Sequence, residues 1–105
     1  MKLFLSGAIS SGTNGDVKKI RQNRARFADI QYLIWKKHPK VIVLNPSMLP
    51  LGMEHNEYME ICKAMIRVCD FVVQLPDWEK STGAREEWEY AMSIGKECIS
   101  SQEVV

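Results

Sequence analysis

No stretch of the chain approaches the roughly 20 consecutive apolar residues of a membrane span, so a transmembrane helix is not expected. The opening Met1 to Gly7 is too short for a secretory signal and reads as a strand, which makes the cytoplasm the expected location. Charge of one sign is also missing. A formal net charge of +1 over 105 residues provides no basic field for a nucleic-acid backbone, and no nucleic-acid partner is expected. Cysteine is sparse: Cys62, Cys69 and Cys98 are odd in number and lack a Cys-x-x-Cys pair, which argues against a disulfide framework or a zinc site. His38 and His55 stand apart with no partner at ligand spacing, so both read as structural or surface residues and no metal is expected. The glycines of the first loop lack Gly-x-Gly-x-x-Gly spacing, and no Gly-Lys-Ser/Thr follows, which removes support for a dinucleotide or ATP cofactor. Repeats, low-complexity segments and linkers are absent too.

What is present is alternation. Leu3-Phe4-Leu5 predicts a short apolar strand, and Gly7 to Gly15 a loop rich in glycine and hydroxyls. From Asp16 to about Lys37, Val17, Ile20, Arg24, Phe27, Gln31 and Ile34 recur near helical spacing. Val41 to Leu44 is a β-branched run stopped at Asn45-Pro46, with Asn45 expected to fix the turn. Tyr58, Ile61, Cys62, Met65 and Val68 or Cys69 predict a second helix, and Asp70 to Leu75 a third strand ended by Pro76. A helix from about Gly83 to Ile94 is expected to bury Ala84, Trp88, Ala91 and Met92, with Trp35 also on a core stripe. Gly95 closes that helix, Glu97 to Ser100 forms a last strand, and 101–105 reads as a loose tail after a single domain over 1–100. The order predicts an α/β fold: a small, doubly wound, Rossmann-like parallel sheet of four to five strands with helices on both faces.

Open sheets of this kind bind ligands beyond the carboxyl ends of their strands. Three loops reach that edge: Gly7 to Gly15, Asn45 to Gly52 and Pro76 to Gly83. After the last of them, Ser81-Thr82-Gly83-Ala84-Arg85-Glu86-Glu87 starts a helix whose first turn is expected to carry carboxylates. There the free N–H groups and the helix dipole favour negative charge, whether an ionised carboxylate or a ligand phosphate. The same acids can also be plain helix stabilisers. Trp78 either stacks on a base or packs locally, and Asp70 either caps the strand edge or faces the cleft.

In this order the motifs resemble the nucleoside 2-deoxyribosyltransferase-like superfamily, and within it the DUF4406 branch common in phage and bacterial genomes. The matching residues are Leu5-Ser6-Gly7-Ala8-Ile9-Ser10, Asn23 and Phe27, Asn45-Pro46, Tyr58-Met59, Cys69-Asp70, and Trp78 to Glu87 with Ala91 and Gly95. The resemblance implies cleavage or exchange of an N-glycosidic bond in a nucleoside or nucleotide, by hydrolysis or base transfer. It implies Glu87 as the nucleophile, with Gly7, Ala8, Ile9, Ser10, Asn23, Trp78, Ser81 and Gly83 as ligand-binding residues. Ser81 matches a serine that lies near the phosphate in 2′-deoxynucleoside 5′-phosphate N-hydrolases. A homodimer or higher homo-oligomer is implied as well. Two departures stand out: Cys62 occupies the place of an aspartate that moves protons in the catalytic members, and Ser10 and Thr13 replace basic residues of the N-hydrolases. Asp77 and Glu57 are the acids considered as substitutes. The Cys62 departure keeps a second reading open, a non-catalytic protein that binds or sequesters a nucleotide-derived signal.

Overall fold

A computed structural model describes residues 1–105. Four strands form one parallel sheet in the order β2-β1-β3-β4. They are β1 (Lys2–Ser6), β2 (Ile42–Leu44), β3 (Phe71–Gln74) and β4 (Glu97–Ser100). The helices between them are α1 (Val17–Lys37), α2 (His55–Val68) and α3 (Thr82–Ser93). The doubly wound α/β arrangement follows the alternation of strand and helix patterns.

Side chains of a strand alternate between faces, so β1 and β3 each supply two cores. Leu3, Leu5, Val73 and Leu75 pack with Phe27 and Ile34 of α1, while Phe4 and Val72 pack with Cys62 and Ile66 of α2 and Ala91 of α3. Ser6 continues the Phe4 face and is turned toward α2 and α3. Local chemistry fixes the connections. The Asp16 carboxylate caps α1 by accepting from the N–H groups of Lys18 and Lys19. Asn45 accepts from both the backbone N–H and the hydroxyl of Ser47 and donates to Gln31, the turn role expected of it. Asp70 accepts from the Lys2 backbone N–H at 2.8 Å, an interaction that lowers its pKa and places it at the far, amino-terminal edge of the sheet.

Four expectations are corrected. Trp35 is 55% exposed, Trp88 39% and Met92 55%, so none belongs to the core. Trp88 falls beside the buried stripe of α3 and packs against Trp78 with ring centroids 6.0 Å apart and the planes tilted by 37°, while Trp35 lies at 6.3 Å from Tyr32 on the outer face of α1. The supposedly loose tail instead forms a turn of helix, α4 (Ser101–Val104): Ser100 caps it, Ser101 is buried, and Val104 packs on the α1 side of the sheet.

Candidate active site

β1 and β3 are neighbours whose onward connections run to opposite sides of the sheet, and the crevice at such a switch point is where ligands bind. A cleft of about 520 Å³ opens there, within the usual range for small-molecule sites. The first loop, the 46–53 loop, α2 and the start of α3 all line it.

Glu87 occupies this cleft because of its place on α3. The buried stripe of that helix is Ala84, Glu87 and Ala91, the spacing of one helical face, so a carboxylate stands where a core residue is expected. The corresponding stripe of α2 is Met59, Cys62 and Ile66. Glu87 is only 5% exposed. The Ser6 hydroxyl donates to its Oε1 at 2.6 Å, and the Cys62 thiol hydrogen-bonds to the same carboxylate. Burial raises the Glu87 pKa to about 7; the two hydrogen bonds pull the other way and lose. The expected location in a first helical turn does not hold. α3 starts at Thr82, its first turn carries no acid, and Glu87 lies in the second turn, too far along for the helix end to dominate its ionisation. Cys62 is held firmly protonated by burial and by the adjacent Glu87.

The other expected residues separate into two groups. Gly7, Ile9, Ser10, Ser81 and Gly83 line the same cleft as Glu87. A Cβ at Gly7 would sit 2.9 Å from Leu75 Cβ, so only glycine lets the chain turn from β1 into the loop here. Gly83 is less constrained, its closest such contact being Met59 Cε at 3.5 Å. Ser81 caps α3 by accepting from Ala84 N–H and meets Ser11 at 3.4 Å, tying the first loop to the helix. Ala8, Asn23 and Trp78 are not in the cleft. Asn23 acts on it indirectly, donating to the Ile9 carbonyl at 2.9 Å, and together with Ala8 it lines a second depression beside Lys19 and Lys80. Trp78 is engaged with Trp88. Asp77 lies in that second depression near Lys80, and Glu57 accepts from the Glu54 N–H as part of the α2 capping box, so neither acid reaches the cleft. Thr13 is buried, its hydroxyl donating to the Ser10 carbonyl.

Three cleft residues were missed. His55, read as isolated, has its Nε2 at 2.9 Å from Glu86 Oε1 at the cleft mouth. Arg24, counted in the apolar stripe of α1, is the one Lys or Arg side chain of the lining; it donates to the Leu49 carbonyl at 2.6 Å, and its Nε is buried without a partner. A cation on a buried stripe was the available signal. Tyr58 accepts from the Met53 N–H and donates to the Pro50 carbonyl, fixing the loop that forms the outer wall. No cluster of three or more His, Cys, Asp or Glu side chains is placed to hold a metal ion, and no helix is long and apolar enough to cross a membrane.

The hydroxyl-supported carboxylate therefore stands at the switch point of a doubly wound, Rossmann-like α/β sheet. Among solved structures the fold is similar to a 2-desoxiribosyltransferase from Leishmania mexicana, with a TM-score of 0.64 and 18% identity over 94% of this chain. The chain spans 62% of that protein's length. No curated protein matches the chain. Residues 1–100 match the profile described as Domain of unknown function (DUF4406), and the chain belongs to that family.

Proposed function

We propose that the protein breaks the N-glycosidic bond of a nucleoside or nucleotide, with Glu87 attacking the anomeric carbon. The observation that carries this reading is a carboxylate buried in a nucleotide-sized cleft, oriented by Ser6, at the ligand-binding edge of a deoxyribosyltransferase-like sheet. A carboxylate there stabilises an oxocarbenium-like transition state and forms a glycosyl ester, which water or a second base then takes. Gly7, Ile9, Ser10, Ser81 and Gly83 surround the sugar or its phosphate, the start of α3 offering the free N–H groups of Thr82 and Gly83. Arg24 supplies the positive charge that the first loop lacks.

The test is incubation with deoxynucleosides and deoxynucleoside monophosphates, followed by chromatography for released base. Release by wild type and its loss in Glu87→Gln support the reading, whereas release that survives Glu87→Gln removes the nucleophile. One observation favours binding without turnover: the neutral Cys62 thiol beside Glu87. In that case nucleotides raise thermal stability by RT ln(1 + [L]/Kd) while no base appears. A homo-oligomer accompanies the proposal, with the exposed Tyr32, Leu33 and Trp35 of α1 as the surface it would cover; light scattering reads the mass.

A further inference from the structure

Cleavage by Glu87 leaves one proton without a source. The departing base carries away the electron pair of the C1′–N bond, and a purine or pyrimidine anion leaves poorly unless it is protonated as the bond breaks. Glu87 is committed to C1′. The Cys62 thiol is hydrogen-bonded to Glu87 and held protonated by burial, and the Tyr58 hydroxyl donates to the Pro50 carbonyl. Asp77 and Glu57 lie outside the cleft.

His55 remains. It is the first residue of α2, lines the cleft, and presents its imidazole at the mouth, with Cε1 facing the start of α3 at Gly83. Glu86 is one position from Glu87 on α3, so the imidazole partner and the nucleophile are fixed by the same helix. With Nε2 engaged by Glu86 at 2.9 Å, Nδ1 is the nitrogen left for a ligand. Side-chain exposures of 56% and 41% leave the pair open to water, from which it can be reprotonated between turnovers.

We propose that His55, oriented by Glu86, is the general acid that protonates the departing base. The assignment rests on the N-glycosidic reading above. As a Glu87 oxygen bonds to C1′, the C1′–N bond breaks, its electron pair passes to the base, and the base takes the Nδ1 proton, leaving neutral imidazole. In the second half-reaction neutral His55 takes a proton from water while the water oxygen bonds to C1′ and the Glu87 carboxylate departs.

The experiment compares 2′-deoxyguanosine 5′-monophosphate with its 7-methyl derivative, whose base leaves neutral without a proton from the enzyme. Wild type, His55→Gln, Glu86→Gln and Glu87→Gln are assayed as full chains, with spontaneous loss of the methylated base subtracted. His55→Gln is expected to slow release from the ordinary nucleotide at least about 100-fold and to leave the methylated one near the wild-type rate. Glu86→Gln shows the same selectivity to a smaller degree, and Glu87→Gln slows both. The selectivity is a ratio within one variant, so partial loss of folded protein does not imitate it. Equal losses on both substrates in His55→Gln, or no loss on either, overturn the assignment while leaving the glycosidic reading intact. If wild type releases base from neither, nor from the other common deoxynucleosides and their monophosphates, the glycosidic reading fails and the acid assignment fails with it.

Discussion

Replacing Glu87 by glutamine tests whether burial or hydrogen bonding controls the carboxylate. In the unfolded chain its pKa is near 4.5, and in the folded protein it is raised to about 7. An acid of this kind binds more protons folded than unfolded between those values, so the stability it contributes is fully present below about 4.5 and is lost as pH rises through about 7. At about 1.36 kcal/mol for each pH unit separating the two values, the swing is about 3 kcal/mol. Glutamine has the same shape and does not titrate. The free energy of urea unfolding, followed by circular dichroism from pH 4.5 to 8, is measured for wild type and Glu87→Gln, and one is subtracted from the other. Other titrating groups, Asp70 among them, largely cancel in that difference. Wild type should lose about 3 kcal/mol relative to the variant as pH rises, which for a domain of this size is roughly 10 °C or more in Tm. A flat difference would refute the buried-acid account. One that grows with pH would show that Ser6 and Cys62 hold the carboxylate ionised after all.

Ser6→Ala removes the 2.6 Å donor to Glu87; its cost should be near 1 kcal/mol at pH 5 and rise to about 1.5–3 kcal/mol at pH 8, where the acceptor is charged, as read by the same unfolding curves. Gly7→Ala should destabilise by about 1–3 kcal/mol because the new methyl meets Leu75, whereas Gly83→Ala should be neutral or stabilising by up to about 1 kcal/mol in an uncrowded helical position; equal effects at the two sites would contradict the geometry. Base release from the 7-methyl nucleotide, which needs no proton from His55, should rise with pH through about 7 as the Glu87 carboxylate ionises if Glu87 is the nucleophile, and a rate already at its plateau at pH 5 would exclude that role.

The sheet was legible because each strand carries its own signal: β1 and β3 are short apolar runs closed by Gly7 and by Pro76, and the glycine at the first and the αL turn at Asp77 fall where the loops begin. Glu87 was singled out through the family resemblance, and its ionisation could not be read from its position in the sequence. Sequence position suggested a helix end that favours charge, and the fold placed the residue on the core stripe of α3 against Cys62, where the absence of water decides the outcome. The same limit explains the tryptophans. Trp88 sits at the border between buried and exposed faces of α3, where it packs against Trp78 from the preceding loop outside the core. His55 and Glu86 are 31 positions apart and each has an ordinary local role, at a helix start and on a helix surface. Their meeting depends on α2 and α3 packing side by side on one face of the sheet, with their amino-terminal ends at the cleft. That packing also sets Cys62 against Glu87, so one pair of helices brings together a carboxylate poised near neutrality, a thiol held protonated, and an imidazole open to water. The division of labour proposed for the cleft follows from these three environments rather than from any local motif.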